Sequence, residues 1–239
     1  MTAAVATART RIKICGLTRE QDVDAAVHAG ADAIGFVLYP ASPRAVTVER
    51  AAQLAARMPP FVTPVLLFVN ESAENTVDAL SKVPGAIAQF HGDESPAQCW
   101  DGCGQGAYRF MRAARIPLGA AGAGFDLVKY ASDYSRAQAI LLDAPVEGSG
   151  GGGKAFEWSL RPPAVDAHLV LSGGLTPANV ADGIVQVRPR FRTLAVDVSS
   201  GVEASKGVKD AAKIHQFVAA VRSADERLAR SPHVQLPAA

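Results

Sequence analysis

"AHLVLSGGLTP", residues 167–177, holds the reading that decides the fold. Leu169-Val170-Leu171 is a continuous apolar run, not an alternating one, as a parallel strand covered on both faces requires. Ser172 and two glycines stop it. A helix start follows at Thr176, with Pro177 just inside, where a missing N–H costs nothing. The stretch reads as strand, tight turn, helix.

The same unit recurs outward in both directions. Strand-like runs are "RIKIC" (11–15), "AIGFVL" (33–38), "TPVLLFV" (63–69), "AIAQFH" (86–91), "YRFMRA" (108–113), "AILLDA" (139–144) and "TLAVDVS" (193–199). Helical spacing is predicted over 20–29, 48–57, 72–82, 177–186 and 208–222, and more weakly over 95–102 and 121–131. Thr18 followed by Gln21 resembles a capping box. No helix is read between 144 and 166. Eight strands alternating with helices over about 250 residues predict an α/β fold, a single (β/α)8 TIM barrel with a poorly helical connection after strand six. The competing architecture is an open doubly wound sheet. Its dinucleotide-binding form wants G-x-G-x-x-G after the first strand, where this chain has Cys15-Gly16-Leu17-Thr18. The expected limits are a disordered segment over 1–10, the barrel over 11–222 and a frayed tail over 223–239.

Composition narrows the function. Of 239 residues, 49% are apolar and the net charge is +1, which supports neither a nucleic-acid nor an anionic-membrane partner. No apolar run approaches the roughly 20 residues of a membrane span, and the N-terminus lacks the apolar region of a secretory signal. The cysteines, Cys15, Cys99 and Cys103, are sparse and odd in number, which suits a reducing, cytoplasmic setting without disulfides. Cys99 and Cys103 have no second Cys/His pair to complete a zinc site and read as packing residues. No metal constellation and no cofactor motif is present.

"GSGGGGKA" (148–155) matches the phosphate-loop spacing G-x-x-x-x-G-K, yet Ala155 lacks the hydroxyl that holds Mg²⁺ and no helix start follows. It reads instead as a mobile glycine-rich loop placed just after "AILLDA".

In a barrel of this kind the active site lies at the C-terminal strand ends. Strand one ends at Cys15, strand four at His91, strand six at Asp143, and Arg44 follows strand two. Gly173 and Gly174 follow strand seven; Ser199, Ser200 and Gly201 follow strand eight. Small residues there let backbone amides face an anion, the usual phosphate position of this fold, although either cluster alone could be an ordinary turn. Cys15 stands before a helix N-terminus, a setting that favours a thiolate; a buried packing role is the alternative. Asp143 ends an apolar strand with no helix behind it to cap, which suits a general acid. A thiolate and an acid beside a phosphate site suggest proton transfer on a sugar phosphate.

"KICGLT" (13–18), "YPASPR" (39–44), "QFHGDE" (89–94), "LLDA" before the glycine-rich loop, "LSGGLTPANV" (171–180) and "AVDVSSGVE" (195–203) together resemble the phosphoribosylanthranilate isomerase family of tryptophan biosynthesis. The resemblance runs from about residue 11 to 222. It implies an aldose-ketose isomerase that performs an Amadori rearrangement without a cofactor, as a monomer or homodimer acting on a small sugar phosphate. It implies Cys15 as general base and Asp143 as general acid. It also implies Arg44 facing the anthranilate carboxylate, Asp197 holding ribose hydroxyls, and His91 in a motif lining the mouth, where hydrogen bonding at the strand end is the alternative. The glycine-rich loop would fold over the intermediate and exclude water. Ala155 stands where the family commonly has Thr or Ser. Two other readings compete. The related histidine-pathway isomerase would want an Asp in place of Cys15 and a second glycine phosphate loop. A phosphate-ligand sensor would need neither Cys15 nor Asp143.

Overall fold

The computed structural model describes residues 9–116, 125–143, 167–188 and 193–230. Its eight parallel strands close into a barrel in sequence order. They are β1 (Arg11–Cys15), β2 (Ala33–Val37), β3 (Thr63–Phe68), β4 (Ile87–Phe90), β5 (Phe110–Arg115), β6 (Ala139–Asp143), β7 (Leu169–Ser172) and β8 (Leu194–Val198). Seven helices are described: α1 (Glu20–Ala29), α2 (Val48–Ala55), α3 (Ala73–Lys82), α4 (Pro96–Gly102), α5 (Leu127–Asp133), α6 (Val180–Val187) and α7 (Ala211–Arg230). A short antiparallel pair, β9 (Glu203–Ser205) and β10 (Val208–Lys209), follows β8. No described helix is long and apolar enough to cross a membrane.

The strand period of two explains the core. In β1, Ile12 and Ile14 belong to the large apolar layer shared with the helices, whereas Lys13 and Cys15 lie outside that layer. The barrel interior has its own plug, built from Val65, Met111, Ala113, Leu141 and Val170 with Ala33, Ile87, Ala139 and Ala195 packed against it. Each large apolar side chain so buried contributes about 1.5–3 kcal/mol. Further along the strands the plug ends, and Cys15, Val37 and Leu67 form a separate small cluster.

Local signals explain most helix starts. Thr47 and Ser72 accept hydrogen bonds from the N–H groups of Arg50 and Asn75, at 3.1 and 3.2 Å. Ser95 and Gln98 form a reciprocal capping box ahead of Pro96, so the weakly signalled helix at 95–102 is present as α4. The expected box at Thr18 does not form. Thr18 Oγ1 donates instead to the carbonyl of Gly207 at the β9–β10 turn (2.9 Å), and α1 starts after Arg19, which pairs with Asp22. The start read at Thr176 also moves. Asn179 Oδ1 accepts from the Thr176 N–H at 2.7 Å, making a separate turn, and α6 begins at Val180. The segment 144–166, with the glycine-rich loop, lies outside the described residues, as do 121–124 of the weaker 121–131 reading, whose remainder falls on α5.

Both expected limits of the barrel need correction. The chain does not fray at Ser223: α7 continues to Arg230 and fully buries Ala224. One residue on, Asp225 accepts from the N–H and Oγ1 of Thr10, at 2.7 and 2.5 Å, and from Arg188 Nη2 at 3.3 Å. Thr10 is itself buried, and Arg9 pairs with Asp32, so order extends at least back to Arg9. An apolar pattern could not show this, because the anchor is a charged hydrogen-bond network between the two ends of the domain.

Asp225→Ala would leave the buried groups of Thr10 and Arg188 without their shared acceptor. Urea unfolding should show a loss of roughly 1.5–3 kcal/mol, with unchanged kcat in the folded fraction. Wild-type stability in this variant would mean that the tail is dispensable after all.

Candidate active site

The strand ends converge as expected. A pocket of about 360 Å³ is lined by Cys15, Arg44, His91, Asp143, Ser172 and Asp197 together with the loops after β7 and β8. That volume is at the low end of the range for small-molecule sites.

On one side stands Asp143, paired in register with Arg115 of β5 and Ser172 of β7. His91 Nε2 lies 2.9 Å from its Oδ2, and His91 Nδ1 lies 2.9 Å from Gln89 Nε2. With Gln89 donating its amide, Nδ1 accepts and the Nε2 proton points at the carboxylate. Both ring nitrogens are therefore engaged. His91 lines the pocket, and its ring makes the strand-end hydrogen bonding read as the alternative, to Asp143. The loop carrying His91 is braced from beneath. Buried Glu94 accepts from the N–H groups of Asn70 and Gly92, and pairs with Arg112 Nη1 at 3.0 Å. Arg112 in turn donates to the carbonyls of Phe90 and Gly92.

On the other side stands Cys15, 5% exposed. The expected influence of a helix N-terminus is not what governs it, since α1 starts only at Glu20. Burial pushes the thiol up, and the Lys13 ammonium opposes this. Cys99 and Cys103 pack away from the pocket in the core, and burial pushes the Cys99 thiol up to about 12. Asp197 is buried, accepting from Lys13 Nζ at 2.7 Å and Ser172 Oγ at 2.9 Å.

The third part is the pair of loops after β7 and β8. Gly173 and Gly174 have φ of 83° and 59°, a left-handed backbone that glycine adopts without strain. They line the pocket with Ser199 and Ser200. Gly201 stands outside the pocket lining and packs against the loop after β7, where an added Cβ would lie 1.9 Å from the Leu175 carbonyl oxygen. Its role is to let the two loops touch. Beneath Ser199, the buried Lys209 donates to the Ser199 carbonyl (3.0 Å), to its Oγ (3.2 Å) and to Glu203 (2.8 Å). Arg44 clasps the same Glu203 through Nε and Nη2, at 2.7 and 2.8 Å. Burial raises the Glu203 carboxyl, but the hydrogen bonds from Arg44 and Lys209 win and hold it below the ordinary carboxylate range.

Sequence reasoning missed Lys13, Gln89, Ser172, Glu203 and Lys209. A signal existed for the first two. A lysine or glutamine inside an apolar parallel strand has no water on either face, so it must meet a partner inside the barrel. Glu203 and Lys209 carried none, since their meeting depends on the β9–β10 turn.

Comparison with known proteins agrees with this geometry. Residues 12–220 match the family model described as N-(5'phosphoribosyl)anthranilate (PRA) isomerase. An N-(5'-phosphoribosyl)anthranilate isomerase from Methylibium petroleiphilum is 59% identical over 223 residues, 93% of this chain and 99% of the relative. One from Dechloromonas aromatica is 57% identical, covering 92% and 100%. The crystal structure of phosphoribosyl anthranilate isomerase from Thermotoga maritima superposes with a TM-score of 0.77 at 39% identity, over 90% of this chain and 99% of that one. A structure of the enzyme in complex with reduced 1-(o-carboxyphenylamino)-1-deoxyribulose 5-phosphate gives 0.72 at 36% identity, over 90% and 99%.

Gly201→Ala should force the two loops apart and cost about 1–3 kcal/mol by overpacking. Gly85→Ala is the comparison: its added Cβ meets nothing within 4 Å, so its loss reports only a side chain at positive φ, a strain that Gly201 does not carry. Urea midpoints compare the two variants. An unchanged midpoint in Gly201→Ala would mean that the loops are not in contact at Gly201.

Proposed function

Because this chain belongs to the N-(5'-phosphoribosyl)anthranilate isomerase family, we propose how its own residues carry that family's reaction. The reaction is the Amadori rearrangement of N-(5-phosphoribosyl)anthranilate to 1-(2-carboxyphenylamino)-1-deoxyribulose 5-phosphate in tryptophan biosynthesis. It is an aldose-ketose isomerisation with no net oxidation. One observation carries the assignment of roles: a thiol, a histidine-held carboxyl and the glycine and serine loops share one pocket.

Asp143 gives its proton to the ring oxygen of the ribose as the bond from C1 to that oxygen breaks, and the amine lone pair makes a C1=N iminium. His91 holds the carboxyl in place while the proton leaves. The Cys15 thiolate then takes the proton from C2. Its electron pair forms the C1=C2 double bond and quenches the iminium, giving an enolamine. Protonation at C1 and loss of the C2 hydroxyl proton yield the ketone, and the proton count closes. Each positioned proton transfer contributes roughly 10²–10⁴-fold.

Binding follows the same map. Gly173, Gly174, Ser199 and Ser200 take the phosphate, with the Lys209 charge beneath them. Asp197, fixed by Lys13 and Ser172, accepts from ribose hydroxyls. Arg44 keeps Nη1 outside its pairing with Glu203 and turns it to the anthranilate carboxylate, a planar match. The partner is this small sugar phosphate, and the enzyme is a monomer or homodimer. The three free cysteines support a cytoplasmic setting.

Fluorescence loss from freshly made phosphoribosylanthranilate tests the two proton carriers. Cys15→Ala and Asp143→Asn should each lower kcat by about 10²–10⁴-fold, while Cys99→Ala and Cys103→Ala retain it. Near-normal turnover in either of the first two variants removes that residue from its role.

Calorimetric titration tests the phosphate loops. A reduced product analogue should bind far more tightly with its phosphate than without it, and added salt should narrow the gap. Equal affinity of the two analogues would take the phosphate away from these loops.

A further inference from the structure

The reaction requires a thiolate at Cys15, yet burial disfavours that charge. The same strand holds an answer two residues earlier. Lys13 lies in an apolar strand with its side chain 4% exposed, an expensive place for an ammonium unless it is paired. One partner is Asp197, at 2.7 Å. The other is revealed by Gly35, the β2 residue in register with Cys15. A Cβ at Gly35 would lie 2.7 Å from Cys15 Sγ and 3.0 Å from Lys13 Nζ, so sulfur and ammonium converge on the space that this glycine leaves open.

We propose that Lys13 is a positioning residue for the reaction: anchored on Asp197, its ammonium faces Cys15 Sγ below the pocket and holds it as the thiolate that receives the C2 proton. This rests on Cys15 being the base. When Cys15 takes that proton it becomes a neutral thiol, and Lys13 stays charged against Asp197. Burial works against the Lys13 charge, but Asp197 and Cys15 together hold the ammonium above the ordinary lysine range. The other charges that act on Cys15 are Asp197 from β8, which opposes the thiolate, Lys209 from β10, which favours it, and Arg44 from the loop after β2. Lys209 and Arg44 are both tied to Glu203, whereas Lys13 spends its charge between Asp197 and the thiol. From β2, Gly35 and Val37 face this space, and neither carries a charge.

The test is the pH titration of Cys15 by iodoacetamide alkylation of the folded full-length protein, in a Cys99→Ala/Cys103→Ala background. Lys13→Met should move the titration midpoint upward by a unit or more, so that alkylation below the midpoint slows about tenfold. Lys13→Arg, which keeps the charge, should restore much of it. In turnover, Lys13→Met should lower kcat more than it raises KM, and the limb of kcat that rises with pH should move up with the thiol. If Lys13→Met does not fold because Asp197 is left unpaired, Lys13→Met/Asp197→Asn removes both charges together. Its midpoint should still rise, by less. An unmoved midpoint in the folded variant overturns the proposal. A raised midpoint with an unmoved pH–rate limb would uphold the Lys13–Cys15 pairing and overturn Cys15 as the base.

Discussion

Lys13 and Asp197 stand 184 positions apart in the chain and 2.7 Å apart in space because β8 closes the barrel on β1. That closure is the constraint on which the site depends. It sets the thiol of β1 beside the carboxylate of β8 and carries the loop after β8 to the same mouth. A register slip of one residue between these strands would turn Asp197 out toward the helices and Val196 or Val198 into the barrel. The buried ion pair therefore serves as a register mark. A mismatched pairing would leave an ammonium and a carboxylate unpaired in the interior, which is strongly unfavourable.

Above the apolar plug, the proposed acid and the proposed base stand in different environments. Asp143 is half exposed to the pocket and gripped by one neutral hydrogen-bond chain, Gln89 to His91 to the carboxylate. Cys15 is nearly closed off, where burial raises the thiol and the Lys13 charge opposes it. An acid must release a proton and take one back, so contact with the wet pocket suits it. A carbon base must keep its lone pair undiluted by water, so burial suits it, provided a cation offsets the cost of ionising. The two halves of the barrel thus offer the two proposed proton carriers different surroundings, a common way for one site to run acid and base steps together.

The sequence carried the architecture because its evidence was periodic. Eight apolar runs of strand length, spaced by helical patterns, admit few folds, and the strands formed close to where they were read. The site was legible where a polar residue ended an apolar run, as Cys15, His91 and Asp143 do. Legibility failed where a role depends on a contact across the sheet or through a loop. Nothing near Gly201 in sequence shows that it must clear the Leu175 carbonyl. Nothing near His91 shows that its ring turns to Asp143, 52 residues on. The C-terminal limit failed for a related reason: "SADERLAR" is rich in charge and reads as solvated, but one of its charges, Asp225, is the acceptor that ties the two ends together.

The anion side of the pocket follows a charge count that side chains alone would obscure. Arg44 and Lys209 bring two positive charges and Glu203 one negative, while Lys13 and Asp197 cancel. The mouth is left with an excess of one positive charge from these five groups, besides the backbone amides of the two loops. Glu203 looks at first like a loss of attraction for an anion. Without it, two cations would be crowded beneath one loop, and the buried Lys209 would lose the partner that offsets its desolvation. Glu203 also fixes where Arg44 points, because two of its nitrogens are held in a fork. Part of the attraction is exchanged for geometry. On the proposed map, a guanidinium held at one end and the glycine and serine loops at the other would grip a long, flexible substrate at both ends, with the bonds that change between Cys15 and Asp143.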